Sequence, residues 1–412
     1  MLIRFTVGNY RSFKEPVTLW MEKEKRVKEE DLGQVIKTAK GREFLTSAAI
    51  YGANASGKSN LVKAAAFMQT MIRNSAKESL AGEPIEVEPF LLDAESQNEP
   101  SYFEISLLID DAEYIYGFEA TRERVTEEWL YFYPEKRRTL LFHREGQKIR
   151  LNRTRFKEGL RLEERTRPNA LFLSVVAQWN GETALKMIET LKKINFLSGS
   201  EPEEYRQITE NLLQSGHYTK EIIRFLCSLD LAIADIQIKK RKNVTDIPDF
   251  LIFQQTIVNT FHQGSDGKRY IFNLDTQESK GTQKLFALSG PLIDTLKSGT
   301  ILFIDELESQ LHPLLTTELI KLFRTDAANT HGAQLIFTTH DANLIGRRKN
   351  MLREDQIWFT EKRRDESSDL FSLSEFGTTK EKGLNLDYLR GKYGAVPFTS
   401  DLADVFKEAG KE

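Results

Sequence analysis

Tyr51-Gly52-Ala53-Asn54-Ala55-Ser56-Gly57-Lys58-Ser59-Asn60 decides how the rest of this chain is read. It satisfies the pattern G-x-x-x-x-G-K-[ST], with the apolar run Ala48-Ala49-Ile50 ahead of it and Leu61-Val62-Lys63-Ala64-Ala65-Ala66-Phe67 behind it. A strand that enters a glycine turn and leaves as a helix is the context in which this pattern becomes a phosphate-binding loop. Gly52 and Gly57 let the backbone curl until its N–H groups face phosphate oxygens. The helix that follows adds its positive end. Asn54, Ala55, Ser56, Gly57, Lys58, Ser59 and Asn60 are therefore expected to line a nucleoside triphosphate. Lys58 would reach the β- and γ-phosphates, and Ser59 would place its hydroxyl on Mg²⁺. The flanking strand and helix set the segment apart from a plain glycine-rich turn.

Two further segments complete the pattern. Thr300-Ile301-Leu302-Phe303-Ile304-Asp305-Glu306 is a continuous apolar run, as a strand buried on both faces of a parallel sheet requires. It ends in two acids at its carboxyl end, where open α/β sheets bind ligands. Asp305 is expected to hold the Mg²⁺ shell and Glu306 to polarise the attacking water. Gln334-Leu335-Ile336-Phe337-Thr338-Thr339-His340-Asp341 reads as a second buried strand with a polar tip. His340 there is expected to contact a γ-phosphate or to hold Glu306. The predicted fold class is α/β, a P-loop NTPase core, with Lys58, Glu306 and His340 as its catalytic residues.

Bulk properties limit the alternatives. The 412 residues suffice for two or three domains, and a composition of 40% hydrophobic and 29% charged residues is that of a soluble globular protein. No window approaches the roughly eighteen apolar residues of a membrane span. The start, Met1-Leu2-Ile3-Arg4-Phe5-Thr6-Val7-Gly8, alternates like a strand rather than a signal peptide. A single cysteine, Cys227, in an apolar helical stretch, is expected to be a buried thiol. It gives no internal disulfide, which fits a cytoplasmic location. The net charge of −3 argues against a globally basic surface. Locally, residues 136–167 hold twelve Lys and Arg against four Glu, among them Arg137, Arg138, Arg144, Arg150, Arg153, Arg155, Arg161, Arg165 and Arg167. Lys239-Lys240-Arg241-Lys242 is a second basic knot. Each reads either as a solvated surface or as a contact for a phosphate backbone.

Along the chain, strands are expected in residues 1–20 with a turn at Gly8-Asn9, and a charged loop or short helix in 21–43. The runs 102–109 and 113–120 flank Asp110-Asp111 and read as an antiparallel hairpin, with a third strand at 128–133. After Pro168 the apolar spacing becomes helical, interrupted by a strand near 233–238. The expected division is 1–167, the first part of the ATPase core with its phosphate loop and a β subdomain; 168–269, a mainly helical insertion; and 270–412, the second part of the core.

The order of these motifs resembles the ABC-type ATPase core, in the branch shared by SMC, RecF and OLD-family proteins. Val7-Gly8-Asn9-Tyr10-Arg11-Ser12-Phe13 is similar to the opening of that branch. Glu278-Ser279-Lys280-Gly281-Thr282-Gln283 is similar to its shortened signature, ahead of a helix containing Lys284-Leu285-Phe286-Ala287-Leu288; read without the family it is an ordinary helix cap. Glu308-Ser309-Gln310-Leu311-His312-Pro313 resembles the D-loop region. The resemblance implies ATP and Mg²⁺ as cofactors, with Ser279 and Gly281 completing the site of the opposite subunit in a head-to-tail homodimer. One departure is the lack of a convincing Q-loop glutamine; Gln69 and Gln97 are no more than candidates for it.

Within the branch, the segments at 9–13, 169–180, 278–296, 303–313 and 388–398 resemble the RloA/AbiL type of prokaryotic ATPase. That type is implicated in phage defence and encoded beside a separate effector, often a nuclease. About seventy residues follow His340, too few for the Toprim nuclease domain of OLD proteins, so a nuclease is expected on another chain. The leading expectation is thus an ABC-type ATPase that senses or regulates in anti-phage defence. The alternatives are a DNA-repair or recombination ATPase that clamps DNA, for which no long heptad tract is visible, and a nucleotide-gated scaffold with negligible turnover, against which Glu306 argues. A transporter ATPase fits least.

Overall fold

A computed structural model describes residues 1–27, 33–134, 137–229, 233–240, 256–346, 351–377 and 384–396. Its centre is a six-stranded sheet in the order Asn195–Ser198, Ile301–Asp305, Gln334–Thr338, Ser47–Gly52, Ile357–Lys362, Ser368–Ser372. The first five strands run parallel and the last is antiparallel. Ser47–Gly52 and Gln334–Thr338 are buried along their whole length, as their unbroken apolar runs require.

Alternation along these strands builds two cores. Ala48, Ile50, Ile301, Phe303 and Ile336 pack into one with the helix Lys58–Asn74. Ala49, Tyr51, Leu302, Ile304, Leu335 and Phe337 pack into the other with the helices Lys280–Ser298 and Pro313–Arg324. The fold is the predicted α/β class.

The first core is closed by a seven-stranded antiparallel sheet in the order Lys148–Leu151, Thr139–Glu145, Val125–Tyr133, Ala112–Ala120, Ser101–Ile109, Leu2–Gly8, Val17–Trp20. The expected hairpin is present, and Asp110 and Asp111 both take positive φ (47° and 60°) at its turn, the backbone that a tight hairpin needs. The strands Thr139–Glu145 and Lys148–Leu151 lie within the basic stretch and were not anticipated, because its arginines hide the alternation. In 21–43, the expected loop or short helix is instead the small strand pair Val35–Lys37 and Glu43–Leu45 among the described residues.

Residues 168–269 carry the helices Phe172–Gln178, Glu182–Lys192, Glu203–Ser215 and Thr219–Ser228. They also supply Asn195–Ser198 to the central sheet, and Ile233–Lys240 and Thr256–Gln263 to a three-stranded sheet with Arg269–Asn273. Cys227 is half-buried rather than buried, and burial raises its thiol pKa. Of the second basic knot, Arg241 and Lys242 lie outside the described residues, as does Lys136 of the first.

Two arginines of the basic stretch turn inward. Arg167 donates to the carbonyls of Ser75 and Ala76 at the end of the helix Lys58–Asn74, where a cation meets the negative helix end. Arg144 is fully buried. It donates to the carbonyls of Gly146, Ala170, Arg167 and Pro168 and pairs with the equally buried Glu128 at 3.5 Å. Glu128 in turn accepts from the backbone N–H of Phe172 and Leu173 and from Tyr116 Oη. Burial pushes its carboxyl above the ordinary range, against the pull of Arg144 and those donors. The pair thus joins the β sheet to the first helix beyond residue 168. Glu128→Ala, which strands the guanidinium, is expected to cost about 3–5 kcal/mol. The double variant Glu128→Leu/Arg144→Met should lose less, as measured by urea unfolding.

Candidate functional site

Parallel strands end at one edge of their sheet, so the three predicted segments emerge together. The phosphate loop leaves Ser47–Gly52 and enters the helix that starts at Lys58. Gly57 has φ +113°, and a Cβ there would lie 2.5 Å from Ser368 Oγ and 3.0 Å from Ser12 Oγ. Only glycine satisfies both conditions. Ser56 Oγ is buried against Thr360 Oγ1 at 2.6 Å, on the neighbouring strand. Asn60 Nδ2 donates to Ser12 Oγ, so its side chain fastens the loop to the N-terminal segment. Asn54 and Ala55 form the exposed tip, Ala55 with φ 61°.

Lys58 is buried, and its ammonium donates to the carbonyls of Gly52 (2.9 Å) and Ala53 (3.0 Å) across the loop. Burial lowers its pKa, while Asp305, Glu306 and Glu308 raise it. These carboxylates are therefore electrostatic neighbours of the lysine.

Asp305 ends its strand, and Glu306 follows in the left-handed region at φ 54°, a conformation that costs a non-glycine residue free energy. Thr338 holds both. Its hydroxyl donates to Asp305 Oδ1 (2.6 Å) and accepts from the Glu306 N–H (2.7 Å). Leu307 N–H donates to the Thr338 carbonyl, and Glu308 accepts from the backbone N–H of His340 at 2.5 Å. His340 stands at the rim; burial, then Lys58, pushes its imidazole pKa below the ordinary value, against the pull of Glu308, Glu306 and Asp305. No hydrogen bond joins its ring to Glu306 among the described residues.

The remaining expected residues fall elsewhere. Ser279 Oγ accepts from Thr282 N–H and caps the helix Lys280–Ser298. Ser279 is exposed, and among the described residues no hydrogen bond links Ser279 or Gly281 to the phosphate loop. Gln69 is buried and donates to the carbonyls of Leu191 and Ile194, and Gln97 donates to that of Leu91. Both side chains are thus engaged in holding loops. The segment at 388–398 is described to residue 396. Tyr388 and Tyr393 stack on Phe359 of the strand beside the phosphate loop. Ala395 and Val396 help line a cavity of about 300 Å³ with Ala53, Asn54, Ser56 and Thr360.

Nothing in the spacing of the sequence motifs assigns Thr338 a task. A hydroxyl at the end of a fully buried strand must find a partner, and that is its signal. The oxygen donors Ser59 and Asp305 suit Mg²⁺, which uses few protein ligands and completes its shell with phosphate and water. Asp305 Oδ1 is oriented by Thr338, the arrangement that a metal-binding carboxylate needs.

Compared with known proteins, residues 47–346 match the family model described as "AAA domain, putative AbiEii toxin, Type IV TA system". No curated protein matches. Similar solved structures include an SmcHead bound to the C-winged helix domain of ScpA, at 13% identity, covering 90% of this chain and 97% of that one, with a TM-score of 0.47. An Smc head with an extended coiled coil, bound to the C-terminal domain of ScpA from Pyrococcus furiosus, gives 14%, 94%, 99% and 0.42. The protein cbiO1 from Clostridium perfringens, part of the ABC transporter complex cbiONQ, gives 11%, 95%, 97% and 0.32.

Thr338→Val keeps the shape and removes both hydrogen bonds. It is expected to weaken Mg²⁺-dependent ATP binding or turnover about 10–100-fold, with an unchanged circular dichroism spectrum. Thr338→Ser should keep most of the wild-type value.

Proposed function

The chain belongs to this AAA-domain family, and from that premise we propose that its core is of the ABC/SMC-like P-loop type, that it hydrolyses ATP in a head-to-tail homodimer and that it thereby regulates a separate effector. The observation that carries the reading is the division of the site. Lys58, Asp305, Glu306 and His340 share one sheet edge, whereas Ser279 and Gly281 lie at an exposed helix start with no hydrogen bond to the phosphate loop among the described residues. A second copy supplies the missing half if its helix start faces the first copy's nucleotide, where a serine hydroxyl, a glycine N–H and a helix N-terminus would meet the γ-phosphate.

In this reading Lys58 and the loop N–H groups bind the phosphates, Ser59 and Asp305 hold Mg²⁺, and Glu306 takes a proton from the attacking water. Mg²⁺ would neutralise charge on the phosphates. His340 would contact the γ-phosphate region by a hydrogen bond from its ring. Closure of two copies around ATP gives the nucleotide different affinities for the open and closed states, the only way a ligand can shift an equilibrium.

The effector assignment rests on the resemblance to RloA/AbiL-type defence ATPases. The family's description, naming a toxin in a toxin–antitoxin system, likewise fits a chain that works beside a partner. Nucleic acid is the second proposed ligand. Arg137, Arg138, Arg150 and Arg155 line a surface cleft of about 520 Å³ at the edge of the seven-stranded sheet. Arg138 stacks on Tyr131 there. No helix among the described residues is long and apolar enough to cross a membrane.

Glu306→Gln is expected to lower turnover at least ~100-fold while retaining ATP and shifting the chain to a dimer in light scattering; unchanged turnover would remove Glu306 from its role. Lys58→Ala and Ser279→Arg should each be inactive alone and partly active when mixed, and no recovery would count against the shared site. If the arginine cleft takes nucleic acid, affinity must fall steeply with salt, and Arg138→Glu/Arg155→Glu should abolish it in a filter-binding assay.

A further inference from the structure

Lys284 lies on the helix Lys280–Ser298, one turn beyond Ser279 and Gly281. Its side chain is completely buried. No carboxylate lies within ion-pair distance of it among the described residues. Its ammonium instead donates to two backbone carbonyls, Leu307 at 2.9 Å and Ser309 at 2.5 Å. Burial lowers its pKa to about 8, although Glu308 and Glu306 raise it. A buried ammonium with no counter-ion is a costly way to fill space that a methionine would fill with less penalty. What the lysine supplies that an apolar side chain cannot is a fixed direction toward two carbonyls.

Those carbonyls belong to the turn that follows Asp305 and Glu306. Ser309 N–H bonds back to the Glu306 carbonyl, and Gln310 closes the turn at φ 60°. The signature backbone rests on its far end: a Cβ at Gly281 would lie 3.1 Å from the Gln310 carbonyl oxygen, so glycine allows the close approach. The helix start is therefore hydrogen-bonded to the 306–310 turn through Lys284 and packs closely on it at Gly281. On its other side the same turn is tied to Thr338 through Leu307 and to His340 through Glu308.

We propose that Lys284 is a positioning residue that locks the 306–310 turn to the signature helix of its own chain, so that the helix start offered to a second copy and the chain's own Glu306 carboxylate move as one body. Closure of one site is then transmitted to the other through a single buried ammonium. The inference rests on the ATPase reading above, and it predicts that Lys284 governs turnover without governing nucleotide binding.

The test compares Lys284→Met and Lys284→Gln with wild type in steady-state ATP hydrolysis, binding of a fluorescent ATP analogue, and thermal unfolding. With Lys284→Met, kcat should fall about 10–100-fold, as a catalytic group misplaced by about 1 Å does. Analogue affinity should stay within about twofold of wild type, because the phosphate loop is untouched, and the unfolding temperature should not fall. Lys284→Gln, which keeps an N–H donor, should be intermediate. In mixed dimers of Lys58→Ala and Ser279→Arg chains, Lys284→Met placed in the Ser279→Arg chain should still lower turnover, since that chain's signature is already disabled but its Glu306 is in use. Equal kcat for wild type and Lys284→Met overturns the inference and leaves the ATPase reading standing. So does a loss of folding in both variants, which assigns the lysine to stability. A wild-type chain with no turnover removes the ATPase reading and the inference together.

Discussion

Everything at the candidate site depends on one constraint: Ile301–Asp305, Gln334–Thr338, Ser47–Gly52 and Ile357–Lys362 are hydrogen-bonded side by side in the same direction. Parallel strands deliver their carboxyl ends to one edge, and burial on both faces leaves that edge as the place where polar groups can emerge. Segments about 250 residues apart in sequence thus bring Lys58 beside Asp305 and Glu306. The register matters as much as the direction. Alternate residues feed two separate cores, and a slip by one position would exchange the two faces of a strand. It would also withdraw Thr338 from Asp305.

At that edge, the groups are held by hydrogen bonds within the protein itself. The Lys58 ammonium bridges carbonyls of its own loop, Asn60 ties the loop to Ser12, and Thr338 fixes both the carboxylate of Asp305 and the backbone of Glu306. Glu306 keeps a left-handed backbone that an unrestrained glutamate would leave. The hydrogen bonds from Thr338 and the turn to Gln310 offset that strain. On the proposed reading, a site organised in this way would need little reorganisation when charge develops, which is where electrostatic catalysis gains most.

Much of this was legible in the residues and some was not. The phosphate loop, the Asp305-Glu306 strand and the strand ending at Thr338 announced themselves because buried parallel strands leave unbroken apolar runs. The hairpin was visible because Asp110-Asp111 interrupts an alternating pattern. The strands Thr139–Glu145 and Lys148–Leu151 were hidden, since charged side chains on an edge hairpin look like a solvated surface. Arg144 shows the limit most clearly. Nothing local distinguishes it from its exposed neighbours, and its burial follows from Glu128 and from carbonyls of 167–170 that only the fold brings near. Thr338 and Lys284 were read as members of a strand and a helix, because a side chain's partner across the fold leaves no periodic trace.

The two halves of the site differ in what they are fastened to, and this bears on how the proposed dimer would work. Among the described residues Ser279 and Gly281 have no hydrogen bond to their own phosphate loop, yet the helix they begin is anchored through Lys284 to the turn carrying Glu306. If the helix start were loose, a second copy could close on the first without any effect on the first copy's own glutamate. Because the anchor is two hydrogen bonds from a buried ammonium, displacing the helix means breaking them in a low-dielectric interior, where an unpaired cation is expensive. Motion of the helix and motion of Glu306 are therefore cheaper together than apart. On the proposed reading, that coupling makes the two sites of a dimer reciprocal, since any bias one nucleotide exerts on the shared element the other must exert in return.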